Sequence, residues 1–220
     1  MRQIWMTKKG GPEVFEVRES PDPVAGPKQV RVRVKAAGLN FAEIMARMGL
    51  YPDAPKAPCV LGYEVSGVID QVGAGAPFTA GQRVIALVRF GGHSDTVVVP
   101  ATQVAVIPDS LTFEKAAAIP VNYATAWLML IHQGNLKPGE TVLVHAAAGG
   151  VGQAALQICK WKGATVIGTA SPGKHARLRE LGVTHCIDYT SVDFEPEVMR
   201  LTNGKGVDID LDHGSIQQRH

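Results

Sequence analysis

The chain has 220 residues, of which 45% are hydrophobic and 24 are glycine, so it is long enough for one large or two small globular domains. A formal net charge of +2 does not indicate a nucleic-acid surface. No apolar run is long enough to span a membrane, and the first residues lack the apolar stretch of a signal peptide. The three cysteines lie far apart and form no C-x-x-C pair, which argues against a disulfide framework or a structural zinc lobe (Cys59, Cys159 and Cys186). We therefore expect a soluble cytoplasmic protein that does not insert into a membrane and binds no nucleic acid.

The first part of the chain, residues 1–119, has the pattern of a β domain. Short alternating or apolar runs separated by Gly and Pro clusters predict strands at 14–17, 30–34, 64–72, 83–88, 96–99 and 103–107. One short helix is predicted over 41–48, ending at Gly49. Many short strands of this kind are typical of a small antiparallel barrel.

From residue 120 onward, helix and strand patterns alternate. Pro120 suits the first turn of a helix that runs to His132. Strands are then predicted at 141–145, 165–169, 184–187 and 207–211, and helices at 151–162, 173–181 and 193–202. This alternation predicts a parallel, doubly wound Rossmann sheet, so the chain divides into domains 1–119 and 120–220.

A loop of small residues joins the first of these strands to its helix. Relative to the pattern G-x-G-x-x-G, Ala147 stands at the first glycine position, and Gly149 and Gly152 stand at the second and third. Small residues let a diphosphate reach the backbone N–H groups at the start of a helix, where the helix dipole favours negative charge. We expect dinucleotide binding by Ala148, Gly149, Gly150, Val151 and Gly152; the alternative is an ordinary tight turn.

The residues after the second strand indicate which dinucleotide is bound. NAD sites usually place an acidic residue there to accept a hydrogen bond from the ribose 2′-OH, yet no acidic residue occurs between Gln153 and Arg179. The segment instead carries donors suited to a 2′-phosphate: Ser171, Lys174, His175 and Arg177. We predict NADP(H) as the cofactor; the alternative is an ordinary basic helix face.

Several motifs in this order resemble a known family. They are Ala37-Gly38-Leu39-Asn40-Phe41, Leu61-Gly62-Tyr63-Glu64-Val65-Ser66-Gly67, Thr125-Ala126-Trp127 and the loop at 145–152. The chain resembles the medium-chain dehydrogenase/reductase superfamily, in its zinc-independent quinone oxidoreductase branch, and within it the VAT-1-like quinone reductases. The resemblance implies a GroES-like catalytic domain followed by a Rossmann NADP-binding domain, and a homodimer for full-length members.

The same resemblance implies chemistry without a metal. Zinc-dependent members of the superfamily have a Cys near the position of Asn40 and a His at the position of Tyr63, and neither residue present here supports a tetrahedral zinc site. Without a metal Lewis acid, an electron-poor substrate such as a quinone or an α,β-unsaturated carbonyl can accept a hydride with hydrogen-bond polarisation alone. We therefore expect no metal and a small quinone or enone substrate.

By resemblance, Asn40, Tyr51 and Tyr63 are the candidate catalytic residues. Asn40 would lie at the nicotinamide, donating to the substrate oxygen or orienting the ribose, although Asn is also a strong N-cap for the helix that follows. Tyr51 would line the substrate pocket and Tyr63 would form a polar wall of it, or both would be structural. Thr125 would face the nicotinamide or simply pack, and Tyr189 would lie near the 2′-phosphate or the adenine.

The end of the chain departs from the family pattern. After Asp212 the continuation Leu-Gly-Gly is replaced by the polar residues 213–220, and the last strands of a complete Rossmann sheet have no counterpart. We expect a C-terminally truncated chain in which the face formed by Val207, Ile209 and Leu211 is exposed. The alternative to an enzyme is a non-catalytic remnant or interaction protein that keeps part of the cofactor site.

Overall fold

The computed structural model describes residues 1–212, and the chain divides into two units, Met1–Val121 and Asn122–His220. The departure predicted for residues 213–220 lies outside the described part. Of the helices in that part, none combines the length and the apolar character needed to cross a bilayer.

The first unit is built from two antiparallel sheets. Its strands are β1 (Arg2–Met6), β2 (Phe15–Glu19), β3 (Gln29–Ala37), β4 (Cys59–Val60), β5 (Glu64–Val72), β6 (Arg83–Leu87), β7 (Thr96–Pro100) and β8 (Val104–Val106). A five-stranded sheet has the order β7-β3-β5-β6-β8, and a three-stranded sheet has the order β2-β1-β4. Its α-helices are α1 (Phe41–Met48) and α2 (Phe113–Ala117), with single 3₁₀ turns at Pro12–Val14 and Ala101–Gln103.

The alternation along β3 shows why these residues form a half-buried sheet. Val30 and Val32 are fully buried in the core of the five-stranded sheet, whereas Arg31 and Arg33 point to the other face. There both guanidinium groups pair with Asp70 of β5 at 2.8 and 2.6 Å. The prediction of a GroES-like β fold is thus confirmed, with its strands distributed over two sheets.

Two strands of this unit are absent from the predictions. β4 has only two residues, Cys59 and Val60, and it exists because it pairs with β1 more than fifty positions earlier in the chain. β1 pairs in turn with the whole of β2. Pairing between distant segments leaves no periodic signal in a short run of residues, so these strands depend on the tertiary structure.

The second unit contains a four-stranded parallel sheet. Its strands are β9 (Thr141–Val144), β10 (Thr165–Thr169), β11 (His185–Ile187) and β12 (Ile209–Leu211), in the order β11-β10-β9-β12. The helices are α3 (Pro120–Trp127, which begins at the end of the first unit and continues as a π-helix over Leu128–Gln133), α4 (Gly150–Lys162), α5 (His175–Glu180) and α6 (Phe194–Leu201). The prediction of a doubly wound parallel sheet is confirmed.

Each face of this sheet has its own core. Val142 and Val144 of β9 pack with residues of α3, α4 and α5, whereas Leu143 between them packs with Val198 of α6. Because successive side chains point to opposite faces, a strand covered on both sides must be apolar at consecutive positions, as β9 is from Val142 to Val144.

The prediction of an exposed apolar face on β12 is wrong. Leu211 is 1% exposed, and Ile209 packs against the same core, beneath α3 and α4. Val207 packs into the core that contains α6. Within the described residues, β12 is hydrogen-bonded to β9 alone. The edge of the sheet therefore carries unpaired backbone N–H and C=O groups of β12 and not an apolar face.

Candidate functional site

The glycine-rich loop follows β9 and is held by the end of β10. Ala146 adopts a left-handed conformation with φ of 46°, which is uncommon for a residue with a side chain. Its N–H donates to Oγ1 of Thr169 at 3.2 Å, and the N–H of Ala147 donates to the carbonyl oxygen of Thr169 at 3.0 Å. These two bonds stabilise the turn that leads to Gly149, the N-cap of α4.

The glycines of the loop serve different purposes. A Cβ at Gly152 would lie 2.6 and 2.7 Å from the carbonyl oxygens of Ala147 and Ala146, so this glycine allows the helix to pack against the loop. A Cβ at Gly149 would be 3.2 Å from the Ala146 oxygen, which is tight but not prohibitive. The internal packing therefore requires a glycine less strictly at position 149 than at position 152. A ligand that approaches the backbone at position 149 would be a stronger reason for a glycine there.

The start of α4 fits a diphosphate. No side chain caps this helix at Gly149, and the residues that follow, Gly150, Val151 and Gly152, begin the helix with N–H groups that have no partner one turn earlier. A Cβ at Gly150 would meet the Asn122 side chain at 2.5 to 2.8 Å, so α3 also lies against this end of α4. Uncapped N–H groups behind a loop of small residues are what a dinucleotide diphosphate requires.

His145 lies beside this loop and was not among the predicted site residues. It is buried, with Nε2 3.2 Å from Oδ1 of Asp210 and Nδ1 3.4 Å from Oγ1 of Thr169. The ring of Phe194 meets the imidazole edge-on, with 4.7 Å between ring centroids. The carboxyl ends of three adjacent strands thus carry a connected set of polar side chains, which the sequence separates by up to 65 positions.

The basic candidates after β10 divide into two groups. Lys174, at the end of a 3₁₀ turn over Pro172–Lys174, is exposed, and Ser171 before it is half-buried. His175 instead turns inward, with Nε2 2.8 Å from the carbonyl oxygen of Ala170. Arg177 pairs with Glu180 on its own helix at 2.8 Å. Lys174 and Ser171 are therefore the side chains at this strand end that remain available to a phosphate.

Tyr189, the remaining cofactor candidate of this unit, follows β11 and is 47% exposed. The neighbouring Asp188 accepts hydrogen bonds from Thr190 and Ser191, and these bonds lower the pKa of its carboxyl group. Thr125 is half-buried on α3. The roles of Tyr189 and Thr125 toward a cofactor stay predictions.

In the first unit, Asn40 takes the N-cap position that was the alternative to its predicted catalytic role, which stays a prediction. It is the N-cap of α1, where its backbone N–H donates to Oε2 of Glu43 at 2.7 Å, the returning half of a capping box. Its side-chain Nδ2 donates to Oε1 of Glu64 at 2.9 Å. Two buried carboxyl groups therefore position Asn40, one through its backbone and one through its amide.

Glu64 links this residue to the first turn of α3. It is 1% exposed at the start of β5, and its Oε2 accepts a hydrogen bond from the N–H of Val121 at 2.8 Å. A Cβ at Gly38 would collide with the Glu64 carboxyl group, so that glycine provides the space it occupies. Burial raises the pKa of Glu64, while the bonds from Val121 and Asn40 act in the opposite direction.

Glu43 is the more strongly perturbed carboxyl group. It is 2% exposed, and its Oε1 has no hydrogen bond but lies 3.7 Å from Nε2 of His93. Burial raises the pKa of Glu43 from 4.5 to about 7, against the effect of the backbone N–H groups of Asn40 and Tyr63. Burial also lowers the pKa of His93. At neutral pH the pair can therefore hold a proton on the carboxyl group beside a neutral imidazole.

Tyr51 and Tyr63, here called the tyrosine pair, lie together in this unit. Their rings meet edge-on with 6.4 Å between centroids, and Phe90 packs on the other side of Tyr63 at 5.3 Å. The Tyr63 hydroxyl is buried and has no hydrogen-bond partner among residues 1–212. Burial, followed by the proximity of Tyr51 and Glu43, raises the pKa of Tyr63. Asn40 and Tyr63 are thus both linked to Glu43 through their backbone N–H groups, and the catalytic roles of Asn40, Tyr51 and Tyr63 stay predictions.

Sequence reasoning missed the three titratable residues at the centre of this arrangement. Glu43 had a detectable signal, because Asn followed three residues later by Glu is a capping-box pattern. Glu64 lies in an apolar strand pattern, where a carboxyl group needs buried partners. His93 had no signal, since a turn places it beside α1 from fifty positions away.

Metal and thiol chemistry have little support in the described residues. Between residues 1 and 212, no group of three or more His, Cys, Asp or Glu side chains could hold a metal ion. The three cysteines are free thiols, and burial raises the pKa of Cys159 to about 12, which keeps it a poor nucleophile. Zinc independence itself stays a prediction.

Comparison with known proteins agrees with these features. Residues 26–109 match the alcohol dehydrogenase GroES-like domain, and residues 150–218 match the zinc-binding dehydrogenase family. The chain is 47% identical over 216 residues to the synaptic vesicle membrane protein VAT-1 homolog of Rattus norvegicus, covering 96% of this chain and 53% of that protein. It thus spans about half the length of this curated relative.

Solved structures give the same picture. Human synaptic vesicle membrane protein VAT-1 homolog-like protein matches with a TM-score of 0.89 and 39% identity, over 96% of this chain and 67% of that one. Escherichia coli quinone oxidoreductase complexed with NADPH matches with a TM-score of 0.87 and 35% identity, over 94% of this chain and 64% of that one. The chain belongs to the medium-chain dehydrogenase/reductase superfamily, in the branch that contains the VAT-1 homologues and the quinone oxidoreductases.

Proposed function

We propose that this chain is part or all of an NADPH-dependent oxidoreductase that transfers a hydride to a quinone or an α,β-unsaturated carbonyl. The observation that carries the proposal is the uncapped start of α4 at Gly149, flanked at the end of β10 by the exposed Lys174. When bound there, NADPH would supply the hydride. Ser171 and Lys174 would bind its 2′-phosphate, and the loop N–H groups its diphosphate.

The chain's own residues support an electron-poor acceptor. Asn40 has one amide hydrogen engaged by Glu64, which leaves its second amide hydrogen for a substrate or a ribose. We propose that Asn40 and the tyrosine pair polarise the substrate oxygen by hydrogen bonds, without a metal. The NADPH complex of the E. coli quinone oxidoreductase supports the choice of cofactor by similarity.

The test is oxidation of NADPH by the purified chain, followed by absorbance, with a panel of quinones and enals and with NADH in parallel. We expect oxidation with at least one quinone or enal and weaker use of NADH. Oxidation with none of them would contradict the proposal.

A second candidate is a cofactor-binding protein without turnover, since the uncapped start of α4 supports nucleotide binding by itself. That candidate predicts NADPH binding, measured by fluorescence titration, with no oxidation. For either candidate we propose that the protein acts in the cytoplasm and forms a homodimer when full-length. The VAT-1 relatives carry synaptic vesicle membrane in their names, so fractionation of cells is the measurement that decides the location.

A further inference from the structure

Side chains at or next to the carboxyl ends of three adjacent strands form one hydrogen-bonded chain. Oδ1 of Asp210, on β12, lies 3.2 Å from Nε2 of His145, the residue after β9. Nδ1 of His145 lies 3.4 Å from Oγ1 of Thr169, the last residue of β10. That oxygen accepts a hydrogen bond from the N–H of Ala146 at 3.2 Å. The chain therefore runs from a half-exposed carboxylate to the backbone of the glycine-rich loop.

The donors and acceptors along this chain assign its hydrogens. Because Thr169 Oγ1 accepts from Ala146, its own hydroxyl hydrogen can be donated to Nδ1 of His145. A neutral imidazole with a bare Nδ1 carries its hydrogen on Nε2, beside the Asp210 carboxylate, which can only accept. The imidazole is 4% exposed, and Phe194 packs edge-on against it with 4.7 Å between ring centroids. These contacts hold the ring in the orientation that the hydrogen bonds require.

The order carboxylate, imidazole and hydroxyl is also that of a nucleophilic triad, but this hydroxyl is badly placed to attack a substrate. Thr169 is 1% exposed, and its oxygen is already bonded to the Ala146 N–H. The chain of hydrogen bonds therefore ends on the loop backbone and acts there.

Ala146 is the residue of the loop whose conformation needs such support. Its φ of 46° is left-handed, and a residue with a side chain keeps that conformation where the surrounding contacts hold it. Its carbonyl oxygen accepts the N–H of Gly149 at 2.8 Å and lies 2.7 Å from where a Cβ at Gly152 would be. Rotation at Ala146 would therefore displace the first turn of α4 relative to β10.

We propose that Asp210, His145 and Thr169 are positioning residues that hold Ala146 left-handed and so place the N–H groups at the start of α4 for a dinucleotide diphosphate. The inference rests on the proposed function, in which this diphosphate belongs to NADPH. The diphosphate is common to NADPH and NADH, so loss of the support should weaken both nucleotides equally. Loss of Lys174, which would contact the 2′-phosphate, should weaken NADPH alone.

Fluorescence titration tests the effect on binding. Thr169→Val keeps the shape of the side chain and removes its hydroxyl, so it should raise the dissociation constants of NADPH and NADH alike, by about tenfold. Thr169→Ser restores the hydroxyl but loses a buried methyl group. It should bind both nucleotides as the unmodified chain does, while its thermal unfolding midpoint falls. Thr165→Val, the same change at the exposed start of β10, is the control and should bind normally.

The two substitutions at Thr169 separate positioning from mere stability. Unchanged binding in Thr169→Val would overturn the inference. Binding by Thr169→Ser that falls together with its unfolding midpoint would also overturn it, because affinity would then follow the packing of the methyl group and not the hydroxyl.

Nitrogen NMR of the full chain, labelled in its histidine rings, tests the hydrogen placement without a nucleotide. At mildly alkaline pH, His145 should carry its hydrogen on Nε2 and none on Nδ1, and its signals are identified by their loss in His145→Gln. Asp210→Ala should let the hydrogen move to Nδ1 in part of the molecules, whereas Asp210→Asn, whose amide oxygen still accepts, should not. A hydrogen on Nδ1 in the unmodified chain would overturn the inference. An unmodified chain with the hydrogen on Nε2 that binds neither nucleotide would contradict the proposed function instead.

Discussion

Glu43 and Glu64 are both buried acids of the first unit, but their hydrogen bonds differ. Both oxygens of Glu64 accept a hydrogen bond, from Asn40 and from Val121. Glu43 has one oxygen bonded to the Asn40 N–H and one without a hydrogen bond. Burial raises the pKa of both carboxyl groups, to about 7 for Glu43, because the hydrogen bonds that each accepts offset only part of its loss of hydration.

The Glu43 pKa predicts how stability depends on pH. Between pH 4.5 and about 7 the folded chain keeps a proton on Glu43 that the unfolded chain releases, so the free energy of unfolding falls as pH rises through this range. The effect amounts to about 3 kcal/mol at most. Urea unfolding at pH 5 and pH 8 should show this fall in the unmodified chain and a smaller one in Glu43→Gln.

The unmodified chain must be compared with Glu43→Gln because His93 changes the pH dependence of the free energy of unfolding in the opposite direction. Its lowered pKa means that the unfolded chain binds the extra proton, so this residue makes stability rise with pH below about 6.5. Subtracting the pH dependence of Glu43→Gln from that of the unmodified chain isolates Glu43. Identical pH dependences would contradict the raised pKa.

Lys174 offers a second prediction at this scale. Lys174→Ala should raise the dissociation constant of NADPH about tenfold or more, because a charge-assisted contact to phosphate is worth about 1.5–3 kcal/mol. NADH, which lacks the 2′-phosphate, should bind almost unchanged. Fluorescence titration of both cofactors is the measurement, with Lys160→Ala as control, since Lys160 is exposed in the last turn of α4, away from the loop. Equal losses for NADPH and NADH would place Lys174 outside the phosphate site.

At the scale of elements, two glycines of the loop between β9 and α4 serve different purposes. Gly149 leaves room for a ligand, and Gly152 allows the helix to pack against the loop. Gly149 is extended with φ of −74°, a conformation open to any residue, whereas Gly152 has two backbone oxygens within 2.7 Å of where a Cβ would be. Substitution at Gly152 therefore strains the fold, and substitution at Gly149 places a side chain where a diphosphate would lie.

Gly149→Val should abolish nucleotide binding and leave the thermal unfolding midpoint within a few degrees of the unmodified chain, because only the Ala146 oxygen at 3.2 Å must adjust. Gly152→Ala should lower that midpoint clearly. Ala105→Val, on the exposed side of β8, serves as a control for the added volume. Nucleotide binding retained by Gly149→Val in a fluorescence titration would remove the loop from the site.

At the scale of the whole molecule, metal content follows from residues in separate elements. Asn40 and Tyr63 replace the Cys and His expected of zinc-dependent members, and both are engaged in contacts of the protein itself. We predict that elemental analysis of the purified chain finds far less than one zinc per molecule, and that a chelator leaves any quinone reduction unchanged. Stoichiometric zinc would contradict this prediction, although one matching family model carries the name zinc-binding dehydrogenase.

The edge of the parallel sheet leads to a prediction about association. In the described residues β12 pairs with β9 alone, and an unpaired strand edge is a template for pairing with another chain. We predict that the 220-residue chain expressed alone aggregates and reduces quinones slowly or not at all. A chimera that adds the C-terminal segment of the rat relative should be a soluble, active dimer.

Light scattering after size-exclusion chromatography is the measurement, with the full rat relative as control. A monodisperse 220-residue chain that reduces quinones with NADPH at about 10 per second, an ordinary enzymatic turnover, would contradict the prediction.

The sequence by itself determined the parts of this protein that depend on neighbouring residues. The apolar runs of β9 and β10, the helix that ends at Gly49 and the small-residue loop at 146–152 each carry their signal within a few positions. Their elements could therefore be predicted almost to the residue, and with them the two types of sheet and the candidate cofactor loop.

Only the tertiary structure decided which polar groups meet. Glu43 and His93, Asn40 and Glu64, and His145 and Asp210 are brought together by strand pairing and turns across 24 to 65 positions, and such contacts leave no periodic pattern. The pKa of a carboxyl group depends on burial and on the number of hydrogen bonds it accepts, both of which are properties of the packed molecule. For that reason the proton-holding acid beside Asn40 appears only once the strands and α1 have been placed.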